Sequence, residues 1–203
     1  MEKILLFYGS PRKDGNSDLL AKAFIKGAKE KGAEVEDMRL FSLNITPCIE
    51  CEKCNETGVC ILDDDMKDIY EKIEEASTIV VASPIFFYNI TSKTQALVER
   101  SQAFWIRRYV LNHKLIGNKE KKGIFLSVGA TKGKLLFDGA LRVIRYYFDA
   151  IGGKLFAALL IRGVEKKGDI KTHEYALESS KILGQRVALG DDLKDIKGIW
   201  LPK

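Results

Sequence analysis

Four cysteines, Cys48, Cys51, Cys54 and Cys60, fall in the pattern C-x2-C-x2-C-x5-C, and no other cysteine occurs in the chain. Two-residue spacers let successive thiolates reach neighbouring corners of one small cubane, and ferredoxin ligand runs open with the same C-x2-C-x2-C rhythm. Structural zinc more often takes two C-x2-C pairs set well apart, which this segment lacks. Three chemistries stay open from the residues: a 4Fe–4S cluster, free thiols that form a reversible disulfide, and zinc. The charged neighbours Glu50, Glu52 and Lys53 place the segment 47–62 in an exposed loop, where a cluster would meet a partner subunit or an electron carrier. Clustering of this kind speaks for redox or metal chemistry in a reducing compartment rather than a disulfide framework.

A second chemical signal follows the first apolar run. Ile4 to Tyr8 closes on Gly9-Ser10-Pro11-Arg12-Lys13-Asp14-Gly15-Asn16-Ser17 and then enters a helical pattern. Ser10, Arg12, Gly15, Asn16 and Ser17 bring hydroxyls, an amide, a guanidinium and the free N–H groups of a helix start to one place. Such a set holds a phosphate dianion through charge-assisted bonds and the helix dipole. The loop is neither G-x-G-x-x-G nor G-x-x-x-x-G-K-[ST], which disfavours a dinucleotide fold and a P-loop NTPase. Ser10 lies outside a G-x-S-x-G elbow, and with only His113 and His173 available a hydrolase triad has little support.

Further along, Ser83, Pro84, Ile85, Phe86, Phe87, Tyr88 and Asn89 make an apolar, aromatic loop after a third strand. At the water-facing end of a sheet such a loop packs against something flat and apolar, a description that an isoalloxazine ring meets. Gly129, Ala130, Thr131, Lys132 and Gly133 follow a fourth strand, and glycines there let backbone approach a ring edge.

The elements that position these loops alternate. Strands are expected at Ile4–Tyr8, Val35–Leu40, Ile79–Ala82, 124–128 and 155–161. Helices are expected from Ser17 (N-capped by Asn16 or Ser17), over Met66–Ala76, from Thr91 or Ser92, over 138–151 and from about Asp169 to Leu189. Strict alternation implies an α/β fold: a doubly wound, five-stranded parallel sheet in the order 2-1-3-4-5, with helices on both faces of one domain spanning 1–203. Ligands then bind outside the carboxyl ends of the strands, so the loops after strands one, three and four matter most. Segment 103–121, basic and aromatic, reads as a lid, a subunit contact or a surface helix.

Of the 203 residues 46% are hydrophobic and 30% charged, an ordinary balance for one domain. No apolar run reaches the roughly 20 residues of a spanning helix, and the short apolar start is no signal peptide, so the expected location is the cytoplasm. The net charge of +5 collects around Arg107-Arg108 and 119–122. Interleaved glutamates and the absence of any nucleic-acid-binding signature read this surplus as a solvated face.

Taken together, the loops resemble those of the NADPH-dependent FMN reductase and iron–sulfur flavoprotein group. Its first loop reads G-S-P-R-x-x-G-N-[ST], its second a similar S-P-[IV]-[YF]-F, followed by a helix ending in [DE]-R, which Glu99-Arg100 match. The resemblance implies a flavodoxin-like fold. FMN would have its phosphate wrapped by residues 9–17 and its ring lined by 83–89 and 129–133, and a 4Fe–4S cluster would sit on Cys48, Cys51, Cys54 and Cys60. It also implies a homodimer or tetramer, with electrons passing to or from a ferredoxin-like carrier. Tyr88 departs from the pattern, since many relatives carry glycine there. The alternatives are an FMN-only NAD(P)H-dependent reductase of flavins, quinones or another small-molecule acceptor, with NAD(P)H docking transiently over the flavin, and a regulatory module that keeps the flavin as a sensor.

Overall fold

The computed structural model describes residues 1–113 and 120–202. Strand β1 (Lys3–Tyr8) leads to helix α1 (Asn16–Glu30) and strand β2 (Glu34–Arg39). A long segment with one short helix, α2 (Cys54–Thr57), then reaches α3 (Met66–Glu75), β3 (Thr78–Pro84) and α4 (Ser92–Arg100). Helix α5 (Gln102–Trp105) runs into a π-helical turn, Ile106–Val110, before β4 (Lys121–Gly129), α6 (Asp138–Ala150), β5 (Gly153–Arg162), α7 (Ala176–Leu189) and β6 (Ile199–Trp200).

The sheet order is β2-β1-β3-β4-β5-β6. The first five strands are parallel, in the expected order, and the two-residue β6 adds a sixth, antiparallel edge against Ala158 and Leu159. Its brevity hid it: two residues carry no period. The last helix is also shorter than its apolar pattern. Asp169–Thr172 is a 3₁₀ turn, and α7 begins only at Ala176.

Alternation along β1 divides the core. Leu5 and Phe7 pack with α3, α4, α5 and α6, whereas Ile4, Leu6 and Tyr8 pack with α1 and α7. Strands β3 and β4 are buried almost throughout, as parallel strands covered on both faces must be, while β2 is largely exposed at its edge. Helices α1 and α7 cross with backbones in contact: a Cβ at Gly27 would overlap the Lys181 carbonyl, and one at Gly184 the Phe24 carbonyl.

The basic surplus is not simply a solvated face. Lys121 is buried, and its Nζ donates to the carbonyls of Glu74 (2.9 Å) and Ala76 (2.7 Å), closing the C-terminal end of α3. Burial lowers the pKa of this ammonium. Arg107 pairs with Glu74 and stacks 5.3 Å from the Phe104 ring, and Arg108 donates to the Asp149 carbonyl. Lys119 and the neighbouring part of the 103–121 insertion lie outside the described residues. No helix among the described residues is long and apolar enough to cross a membrane.

Candidate functional site

The four loops at the carboxyl end of the sheet are laced together in sheet order. Gly9 N–H donates to the Ala82 carbonyl (2.7 Å), Ile85 N–H to that of Val128 (2.9 Å), and Val164 N–H to that of Gly129 (3.2 Å). Buried hydroxyls repeat the pattern beneath. Thr91 Oγ1 donates to the Gly9 carbonyl (2.5 Å), Ser127 Oγ to that of Ser83 (2.8 Å), and Ser83 Oγ accepts from Thr91 N–H (3.3 Å). The hydroxyls of Thr91, Ser83 and Ser127 are thus satisfied inside the protein, and they tie the loop bases into one rim.

A cavity of about 200 Å³ opens within that rim. Ser10, Arg12, Gly15, Asn16 and Ser17 form one end, Pro84, Ile85 and Phe86 a wall, and Gly129 with Ala130 the facing side. Ser83, Phe87, Tyr88, Asn89, Thr131, Lys132 and Gly133 lie off the cavity itself. Ser83 is the buried hinge of the rim, and Phe87 and Tyr88 form the tip of a two-residue turn, closed by reciprocal bonds between Phe86 and Asn89. Both tip residues have positive φ, 49° and 63°, the signature of a type I′ turn that favours Asn-Gly.

Four lining residues escaped the sequence reading: Val128 at the end of β4, and Val164, Glu165 and Lys167 from the loop after β5. Asn16 brings that loop in. Its Nδ2 donates to the Lys166 carbonyl (2.9 Å), and its Oδ1 accepts from Gly168 N–H (3.0 Å) and Ile170 N–H (3.3 Å). The amide is thereby committed to the loop, and the N-cap of α1 is Gly15. A Cβ at Gly15 would come within 3.1 Å of the Arg12 carbonyl, so the turn needs glycine for closeness rather than for φ. The available signal was positional, since every βα loop of a doubly wound sheet opens at the same end.

Electrostatics favour an anion at the Ser10–Ser17 end. The first-turn N–H groups of α1 lack intrahelical acceptors and carry the positive end of the dipole. Asp18, in that same turn, is buried but paired: Arg39 donates to it at 2.6 Å while lying 4.8 Å over the Tyr8 ring. Arg12 is exposed at the cavity mouth.

The cysteines occupy a second site. Cys48, Cys51, Cys54 and Cys60 all line one cavity of about 520 Å³, with Ile49, Ile61, Arg100 and Ala103 among its other walls. Cys48 and Cys51 are exposed, Cys54 and Cys60 half-buried, and none is in a disulfide. Burial pushes the Cys54 thiol up, and the other three cysteines add to that. Among the described residues, no three Cys, His, Asp or Glu side chains converge closely enough to hold a single metal ion. Four thiols around one cavity suit a wider multi-atom centre by donor type.

Residues 2–152 match the model of the NADPH-dependent FMN reductase family. The chain belongs to this family. It is thus a member of a family of oxidoreductases with a flavodoxin-like fold. Among its relatives, an iron-sulfur flavoprotein of Methanosarcina thermophila is 35% identical over 130 residues, 64% of each chain. An iron-sulfur flavoprotein of Methanocaldococcus jannaschii is 29% identical over 199 residues, 92% of this chain and 95% of that one. Among solved structures, an NAD(P)H:quinone oxidoreductase from Methanothermobacter marburgensis superposes with a TM-score of 0.69 at 18% identity, over 92% of this chain and 96% of that one. The matched span covers the laced rim except for the loop after β5.

Proposed function

We propose that this chain is a cytoplasmic electron-transfer oxidoreductase that binds FMN in the rim cavity and exchanges electrons with a second centre on the cysteine loop. The observation that carries the reading is the cavity itself. A helix start with Arg12 lies at one end, and an apolar wall of Pro84, Ile85 and Phe86 faces a glycine backbone at Gly129. Bound FMN supplies both two-electron and one-electron chemistry. Arg12, Ser10, Ser17 and the first-turn N–H groups of α1 would bind its phosphate, and Asn16 holds the β5 loop against that end. Ile85 and Phe86 would exclude water from the ring. Gly129 and Ala130 would line the other side, and backbone N–H groups there, with Lys132 of the same loop, would favour added negative charge. NAD(P)H docks transiently over the open cavity.

The relatives named as iron-sulfur flavoproteins and the shared cavity of the four thiols support a 4Fe–4S centre held by Cys48, Cys51, Cys54 and Cys60. Helix α4 links the two sites. It starts one residue after Thr91, whose hydroxyl holds the rim, and ends at Arg100 in the cysteine cavity. Nine helical residues span roughly 13 Å. One domain then carries both centres, and a second copy of the chain or a ferredoxin-like carrier meets the exposed Cys48 and Cys51. A second reading, an FMN-only reductase of quinones or other small acceptors, is favoured by the lack of three converging donors for one ion among the described residues and by the quinone oxidoreductase likeness.

Anaerobic purification with flavin, iron and sulfide quantitation tests both. One FMN and about four iron atoms per chain are expected. A yellow, iron-free protein that still turns over a quinone with NAD(P)H selects the second reading, and a chain that fails to retain FMN ends both. Removal of a charge-assisted phosphate contact costs about 1.5–3 kcal/mol. Arg12→Ala should therefore weaken FMN roughly ten- to a hundredfold while leaving riboflavin affinity, read by fluorescence quenching, unchanged.

A further inference from the structure

The four cysteines sit on a loop whose two ends are tied together by a buried arginine. Asp64 accepts from Thr46 N–H (3.0 Å) and Met66 N–H (3.1 Å), and Asp65 accepts from Asn44 N–H (2.7 Å) while its own N–H donates to the Asn44 carbonyl (3.1 Å). Residues 47–63 thus leave and re-enter the body at one neck, as an Ω-loop does. Arg100, the last residue of α4, fills the neck from behind. Its Nη1 donates to the Thr46 carbonyl (2.8 Å) and to Asp64 (2.6 Å), and its Nη2 to the other Asp64 oxygen (3.1 Å). Both side chains are nearly inaccessible, at 1% and 3% exposure. Tyr70 hydroxyl fixes the Arg100 carbonyl (2.8 Å). Arg100 also lines the cysteine cavity, and its Nε is buried with no partner among the described residues.

We propose that Arg100 is the positioning residue of the cysteine site: it locks the neck so that the four thiols face a common cavity before any ligand arrives. This deepens the reading of that loop as a binding site and rests on it only for the identity of the ligand. A planar fork is required, because one side chain must serve two carboxylate oxygens and a carbonyl at once. A lysine presents its three N–H donors from one nitrogen and cannot reproduce the fork. One outer contact of the loop comes from elsewhere: Arg107 Nε donates to the Gly58 carbonyl (2.6 Å), so the middle of the loop stays attached when the neck is freed.

The test compares the full-length wild type with Arg100→Lys and with the double variant Asp64→Leu/Arg100→Met, which leaves no unpaired charge if the lysine variant folds poorly. Amide exchange is read across 44–66 and across β1 and β3, flavin affinity by quenching, and cluster uptake by the visible absorbance of chains reconstituted anaerobically with iron and sulfide. The expected result is at least tenfold faster exchange confined to 44–66, FMN affinity within twofold of wild type, and at least a fivefold loss of iron–sulfur absorbance. Exchange unchanged in 44–66, or raised equally over β1 and β3, overturns the proposal. If the wild type takes up no iron, the cluster reading fails, and the exchange pattern still decides the role of Arg100.

Discussion

Tyr88 has positive φ beside Phe87, at the tip of the turn that Phe86 and Asn89 close. A non-glycine residue in the left-handed region costs roughly 1–2 kcal/mol. Glycine costs roughly 0.5–1 kcal/mol of chain entropy in exchange. At 56% exposure Tyr88 buries too little surface to reverse the balance. Tyr88→Gly should therefore stabilise the chain by about 0.5–1 kcal/mol, seen as a melting temperature raised by a few degrees. Unchanged or lower thermal stability would show that the ring packs against something in solution. The strain was invisible in the amino-acid sequence because φ is set by the reciprocal Phe86–Asn89 pairing, not by Tyr88 itself. Ser10, Arg12, Ile85 and Phe86, by contrast, were legible: their polarity or apolarity is anomalous for a strand-end loop. Asp64 and Arg100 were not read as a pair, because an ion pair spanning 36 residues of sequence leaves no local pattern.

At the scale of elements, hydrophobic period revealed what repetition can reveal. Strands β1, β3, β4 and β5 announced themselves as apolar runs, and α6 by its stripe of Leu141, Ile144 and Phe148. Where tertiary bonds override period, the reading slipped. His173, Glu174 and Tyr175 carry chain between the 3₁₀ turn and α7, although the pattern is continuous, because Asp169 and Asn16 hold Glu165 to Ile170 in a loop. The α1–α7 contact yields the sharpest expectation. With no room for a methyl between facing backbones, Gly27→Ala or Gly184→Ala should cost about 1–3 kcal/mol, measured as a lowered urea midpoint with unchanged slope. The helix-propensity gain of alanine, at most about 1 kcal/mol, acts the other way and is smaller. An alanine variant as stable as wild type would mean that the helices slide apart at no cost.

For the molecule as a whole, a buried carboxylate, Asp64, and buried tyrosines, Tyr8 together with Tyr70 and Tyr147, set opposite pH limits. Burial alone would raise the Asp64 carboxyl, but hydrogen bonds from Arg100 and from the backbone of Thr46 and Met66 hold it below its ordinary value. Its contribution is complete above the unfolded value near about 4 and is lost as pH falls through the lower folded value. Tyr8 is pushed up to about 12 by burial and by Asp37 and Asp18. The folded chain therefore keeps a proton that the unfolded chain releases, and stability falls from about pH 10 upward. Urea unfolding from pH 2 to 11 should show a plateau between these limits. Asp64→Asn should lower the plateau by roughly 3 kcal/mol and flatten the acid side. A wild-type curve already sloping at pH 6 would point to a different titrating group.

The neck at Thr46 and Asp64 also bears on ancestry. Since the chain departs and returns at adjacent points, residues 47–63 amount to a cassette: a short reverse turn in their place would leave strand order, both cores and the laced rim in position. The rim cavity has no such independence, because its walls are the strand ends themselves. Gain or loss of the cysteine loop would in this sense take a single insertion or excision at the neck, whereas the rim cavity comes with the sheet.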